Sequence, residues 1–276
     1  MGTAPFVAVS DLSITYPAAH GSAPFTAVRG VSLSIGAGEL VGLIGETGAG
    51  KSTLARTVAG RTAHRGAEGP VITGGELTVG GVRVRGMHER DRRRLTAAVG
   101  YLPQQAGRRL RPDLTIAENV AEPLFERDRH FDPRVAGRRA AVLVDAVQLP
   151  LGAMARYPHE LSAGQRQRVA IARSLVLEPA LWVADEPIAG VDVTVRGPVL
   201  DTLLELQSDR DFTALIVSYD AAVLLQLTDR LAVMHRGMIV GLGRTGDVLA
   251  RPQHPYVQGV AQDYLLRTGP IQTVAG

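Results

Sequence analysis

Near its start the chain alternates apolar and polar positions. "FVAVSDLSITYP" and "VSLSI" place a hydrophobic side chain at about every second residue, the period of strands with one buried face. "GAGE" supplies a turn, and "LVGLIG" follows as a further strand. The period then changes, because "KSTLARTVAG" sets Leu54 and Val58 one helical turn apart. The opening is therefore β-rich and runs into strand, glycine-rich loop and helix. Two later segments, "ALWVADEP" and "TALIVSYD", are short apolar runs ending in acidic residues, as strands covered on both faces of a parallel sheet do. Helix-rich sequence separates them, and "RLAVMHRGMIVGLG" reads as a hairpin turning at Arg236 and Gly237. No internal repeat or low-complexity segment interrupts the pattern.

Composition narrows what these elements can serve. The 276 residues suffice for one large domain or a domain with a smaller lobe. Hydrophobic residues make up 45% and charged residues 21%, and no apolar run approaches the roughly 18 residues that cross a bilayer. The N-terminus lacks a basic region, a long apolar segment and a small-residue cleavage site, so the expectation is a cytosolic protein without a secretory signal. The absence of cysteine excludes disulfides, thiolate zinc sites and cysteine-held iron–sulfur clusters. A formal charge of +3 is too small to imply nucleic acid. The basic cluster "RVRGMHERDRRRL", Arg83 to Leu95, contains Glu89 and Asp91 and no aromatic residue to stack a base. It reads as an exposed loop and helix start, with no nucleic-acid partner.

The glycine-rich loop carries the first chemistry. "GETGAGKST" comprises Gly45, Glu46, Thr47, Gly48, Ala49, Gly50, Lys51, Ser52 and Thr53 and fits G-x-x-x-x-G-K-[ST] between strand and helix. Glycines let several backbone N–H groups turn inward and the helix N-terminus adds partial positive charge, so the loop predicts a phosphate nest. Lys51 is expected to reach the β- and γ-phosphates of ATP, Ser52 to help coordinate Mg²⁺, and Thr53 to support the α/β-phosphate end. "LWVADEP" brings Asp185 and Glu186 to the end of an apolar strand. Alone, that pair reads equally well as a surface Asp-Glu. Beside the glycine loop it predicts Asp185 on Mg²⁺ through water and Glu186 as general base for the attacking water. "LSAGQRQRVAIARSLVLEP" holds Ser162 and Gln165 at capping-box spacing, with Val169, Ala172 and Val176 on one face of the helix it opens.

With these motifs in place the chain resembles the ATP-binding-cassette (ABC) ATPases over nearly its whole length. The family signature L-S-G-G-Q stands here as Leu161, Ser162, Ala163, Gly164 and Gln165, one glycine having become alanine. The resemblance implies that Tyr16 stacks on adenine, and that Gln104 in "YLPQQ" contacts Mg²⁺ and links the nucleotide site to membrane subunits. It also implies that Asp192 in "AGVD" is the D-loop aspartate. Tyr219 stands where the family places its switch histidine, and Ile188 replaces the threonine usual after the proline. A phenol does not handle protons as an imidazole does, although it donates one hydrogen bond. His235, beyond the first strand of the hairpin, is not expected to replace it. "RPQHPYVQGV" and "VADEPIAGVDVTVRGPVL" resemble segments of the oligopeptide, dipeptide and nickel importer ATPases, without the cysteine-rich extension of longer members.

The resemblance implies an α/β P-loop NTPase cassette with a RecA-like core, an antiparallel β subdomain and a helical subdomain bearing the signature. The expected division is a core from 1–104 and 179–245, a helical lobe at 105–178 and a C-terminal extension at 246–276. Two cassettes, the second expected to be a different chain, would sandwich two ATP molecules with Mg²⁺, each phosphate loop facing the other's signature. Two transmembrane permease subunits and a substrate-binding protein are the further expected partners, with this chain at the inner face of the membrane. The cargo implied is a peptide, a nickel or other metal complex, or a related solute. Two alternatives stay open: an exporter motor, and a catalytically weak regulatory or structural partner, the latter drawing on Tyr219.

Overall fold

The computed structural model describes residues 4–18, 23–62, 69–210 and 212–268. Residues 1–3, 19–22, 63–68 and 211 of the expected core and 269–276 of the expected extension lie outside the described residues. In chain order the elements are β1 (Val7–Tyr16), β2 (Phe25–Ile35), β3 (Leu40–Gly45), α1 (Lys51–Val58), β4 (Val71–Val79), β5 (Val82–Arg83) and α2 (Glu89–Ala98). There follow β6 (Val99–Leu102), α3 (Ile116–Arg127), α4 (Pro133–Ala146), α5 (Ala163–Leu175), β7 (Leu181–Asp185) and α6 (Val193–Arg210). The chain continues through β8 (Thr213–Val217), α7 (Ala221–Leu227), β9 (Arg230–His235), β10 (Met238–Arg244), α8 (Thr245–Ala250) and α9 (Pro255–Thr268).

Two compact units form, one from 1–95 with 213–276 and one from 96–212. The second unit extends beyond a lobe at 105–178, because it takes in β6, β7 and α6. Its cohesion has a local cause. β6 and β7 pair in parallel, Val99 opposite Leu181, and α5 lies so near β6 that a Cβ on Gly100 would come 2.3 Å from Ser174 O.

In the first unit an antiparallel sheet runs β2-β1-β4-β5. Val7, Val9, Leu12 and Ile14 of β1 are all buried, so the alternation slips by one residue between Val9 and Leu12. A bulge absorbs the slip: the pairing shifts against both neighbouring strands, and Asp11 sits at φ 47°. Without it, the later half of the strand would turn its apolar set to solvent. The other strands of this unit follow the order β10-β9-β3-β8, with β3 parallel to both β8 and β9. β9 turns through Arg236 (φ 47°) and Gly237 (φ 86°) into antiparallel β10, as the sequence predicts. All five residues of β8 are buried, as are all five of β7 in the second unit. The basic cluster forms the predicted exposed loop and helix, with Leu95 buried and Arg83, Arg92 and Arg93 paired to Glu76 and Glu89.

Candidate nucleotide site

In the first unit, β3 ends at Gly45 and α1 begins at Lys51, so Glu46 to Gly50 form the intervening loop. Gly45 has no room for a side chain, since a Cβ would lie 2.1 Å from Met234 O on β9. Gly50, at φ 101°, would bring a Cβ within 2.3 Å of Ala27 O on β2. The β9–β10 turn backs the loop: Gly237 N–H donates to Ala49 O at 3.0 Å, and Gly237 O accepts from Arg29 N–H at 2.8 Å. Lys51 closes the loop on itself, its Nζ donating to Gly45 O at 2.7 Å and Glu46 O at 2.8 Å. Glu46, Thr47, Gly48 and Ser52 are exposed, and no side chain caps α1. The first N–H groups of a helix have no acceptor within it, so this opening presents donors and partial positive charge to an anion. Tyr16 Oη lies 3.2 Å from Thr53 Oγ1, which stands the residue expected under adenine beside the start of α1.

The second unit carries the carboxylates and the signature. Asp185 closes β7 and is 2% exposed; Glu186 follows at 6% exposure with φ 55°. A left-handed non-glycine residue costs about 1–2 kcal/mol and persists where its surroundings over-determine it. Gln104 follows β6 and is exposed. At the start of α5, Ser162 Oγ accepts from Gln165 N–H at 3.2 Å while Gln165 Oε1 accepts from Ser162 N–H at 2.9 Å, the predicted capping box. Ala163 is the first helical residue and is exposed, so the backbone there does not demand the family's glycine. Gly164 differs, because a Cβ would lie 2.7 Å from Gly190 O. The signature turn therefore rests against the segment that leads to Asp192. Asp192 Oδ1 accepts from Thr194 N–H at 2.9 Å and Thr194 Oγ1 at 2.7 Å, and these bonds hold its carboxyl below the usual carboxylate range. Leu161, Val169, Ala172 and Val176 are buried, as the amphipathic pattern predicts.

Tyr219, 67% exposed, follows β8 in the first unit. His235 lies instead against the phosphate loop, its Nδ1 2.9 Å from Glu46 Oε1 but without hydrogen-bond alignment. The Tyr256 ring stacks on His235 at 4.6 Å between centroids, and the His254 ring lies 5.6 Å away. The "HPY" at the start of α9 thus braces the far side of the histidine that touches the loop. No spacing connects Glu46, His235 and Tyr256 along the chain; Glu46 was marked by the loop motif and Tyr256 by resemblance of the tail to one importer group, while His235 was not expected to serve the site.

These parts suit a Mg-nucleotide. The loop lies so close against β9 and β2 that side chains at Gly45 or Gly50 would displace it, and it ends in a lysine and an uncapped helix. The Ser52 hydroxyl in the first unit and the Asp185 carboxylate in the second are each a hard oxygen donor, the type that Mg²⁺ takes. Among the described residues no cluster of three His, Cys, Asp or Glu forms a metal site by itself.

A glycine loop between a buried parallel strand and a helix, ending in lysine and serine, defines a P-loop nucleotide-binding protein. The chain belongs to the ABC transporter family, whose model matches residues 28–189. It is 36% identical over 255 residues to the oligopeptide transport ATP-binding protein OppF of Lactococcus lactis subsp. lactis (strain IL1403), covering 91% of this chain and 77% of that protein. To the protein of the same name from Escherichia coli (strain K12) it is 33% identical over 263 residues, covering 91% and 75%. A dimeric post-hydrolysis structure of the ATP-binding cassette MJ0796, bound to ADP and Pi, matches with a TM-score of 0.77 at 25% identity, covering 87% of this chain and 98% of that one. The α/β P-loop cassette fold and ATPase activity expected from the sequence therefore stand, with ATP as the nucleotide. Among the described residues no helix is long and apolar enough to cross a membrane.

Proposed function

We propose that this chain couples ATP hydrolysis to import of peptides or a chemically related solute. Its partners in this reading are two transmembrane permease subunits, a substrate-binding protein and a second, different cassette, assembled at the inner face of the membrane. The observation that carries the reading is the similarity, over 91% of the chain, to proteins named for oligopeptide transport. The helical lobe at 105–178, with Gln104 at its edge, is the surface offered to the permeases, and 246–276 is an extension of the core.

The residue roles follow from chemistry. Lys51 exchanges its two carbonyl partners for β- and γ-phosphate oxygens, and the N–H groups of the loop and of α1 hold the phosphates in place. Glu186 accepts the proton of the water that attacks the γ-phosphorus, while the β,γ-bridging P–O bond breaks to give ADP and phosphate. Ser52, Asp185 through water, and Gln104 would hold Mg²⁺, which supplies charge neutralisation on the phosphates when bound. Tyr16 stacks on adenine, and Ser162 to Gln165 with Asp192 serve the site completed with the partner cassette. Tyr219 favours one refinement: this chain's own site turns over slowly, and its signature serves a faster site on the partner.

The test is ATP turnover by the complex reconstituted in vesicles, with and without peptide-loaded binding protein. Peptide is expected to raise turnover, and Lys51→Ala to weaken fluorescent-ATP binding by about 10- to 100-fold, the value of charge-assisted hydrogen bonds. Turnover indifferent to peptide would reject the cargo assignment; unchanged nucleotide affinity in Lys51→Ala would reject the phosphate cradle.

A further inference from the structure

Gln167 lies two residues beyond the signature on α5, is 4% exposed, and has no role in the site as described above. Its amide binds two segments of the second unit at once. Oε1 accepts from Gly107 N–H at 3.1 Å, in the turn just after Gln104. Nε2 donates to Pro187 O at 3.0 Å and to Glu186 O at 3.4 Å. The reverse amide orientation would set a donor against an N–H and an acceptor against two carbonyls, so the network fixes which end is which. The turn at Gly107 also lies close against the backbone of α5. A Cβ on Gly107 would lie 2.7 Å from Gln167 N, so a side chain at Gly107 would push the turn off the helix.

Glu186 holds φ 55°, a conformation that its own chemistry disfavours. Its carbonyl accepts locally from Ala189 N–H at 3.2 Å. The Gln167 amide adds ties from a different element, and it does so at both Glu186 and the residue after it. It also meets the turn that follows Gln104, so a shift of that turn would reach the backbone of Glu186 through a single buried side chain.

We propose that Gln167 is a positioning residue for ATP hydrolysis: it holds the Glu186 backbone in the conformation that aims the carboxylate at the attacking water. The role rests on Glu186 being the general base. A glutamine that merely satisfied buried polar groups would affect stability alone; a positioning residue acts on the rate and acts through Glu186.

Single-turnover hydrolysis by the reconstituted complex, in excess over ATP and with the partner cassette's matching glutamate changed to Gln so that this chain's site alone reports, separates rate from affinity. Gln167→Glu keeps the size and acceptor but loses the donor, and Gln167→Met loses both. In each, the hydrolysis rate constant is expected to fall about 10- to 100-fold, as misplacement of a reacting group by about 1 Å does. The ATP dissociation constant is expected to stay within about twofold. In a Glu186→Gln background, Gln167→Met is expected to remove nothing further, since the two residues act as a unit. A wild-type rate in either folded variant overturns the proposal, as do equal losses of rate and affinity, or an added loss in the Glu186→Gln background. Thermal melting shows whether one variant fails to fold, in which case the other decides; failure of both makes the amide structural and overturns the proposal. A wild-type single-turnover rate constant in Glu186→Gln overturns the base assignment and this inference with it. Loss of turnover there alongside a normal rate in Gln167→Met overturns this inference alone.

Discussion

The glycines of the phosphate loop are three different residues physically. At Gly48, φ 85°, an added Cβ meets nothing within 4 Å, so Gly48→Ala costs the chain the left-handed penalty of about 1–2 kcal/mol. At Gly45 and Gly50 the added atom strikes the Met234 and Ala27 carbonyls, and the backbone must move as well. Urea unfolding is expected to rank Gly45→Ala and Gly50→Ala below Gly48→Ala by about 1–3 kcal/mol, the scale of overpacking. Equal midpoints for all three would contradict the close walls of the loop. The same reasoning accounts for the altered signature. Its lost glycine is at exposed Ala163, where a methyl group fits a helix start, while the retained Gly164 is the position pressed against Gly190 O.

At the scale of elements, caps and periods were legible because their contacts close within a turn or two. Ser162 and Gln165 form their box as spaced, and the hairpin turns at Arg236 and Gly237, both at positive φ, as expected. The bulge in β1 was not legible, since alternation alone does not say which neighbour absorbs the slip at Asp11. Nor was the tie that sets the start of α3. Buried Asn119 donates from Nδ2 to Arg111 O at 3.0 Å, Leu114 O at 2.9 Å and Thr115 O at 3.0 Å, and its Oδ1 accepts from Arg111 N–H at 2.8 Å. Asn119→Ala strands these groups and is expected to cost about 1–3 kcal/mol in chemical denaturation. Because the phosphate loop is in the other unit, fluorescent-ATP affinity of Asn119→Ala is expected to match wild type. An unchanged unfolding midpoint would mean that water replaces the amide.

For the molecule as a working assembly, the contrast between intact motifs and Tyr219 sets the expectation. A lost orienting or acid–base group costs on the order of 10²–10⁴ in rate. In the reconstituted complex, Glu186→Gln in this chain is expected to remove little of the steady-state ATP turnover, while the matching change in the partner cassette abolishes it. Tyr219→His is expected to raise the share contributed by this chain. Equal losses from the two glutamate changes, or a larger loss from this one, would reject the asymmetry.

The sequence by itself determined the class of chemistry. A phosphate nest, a capped helix and a strand ending in Asp185 and Glu186 are each built from neighbouring residues, so composition and spacing carry them. Only the tertiary structure decided what supports those parts. Gln167 meets Gly107 across 60 positions, His235 meets Glu46 and Tyr256, and Met234 and Ala27 wall the loop from separate strands. Such contacts join residues whose separation in the chain follows no structural period, and each needs one particular atom, an amide nitrogen or a missing Cβ, at the place where two elements meet.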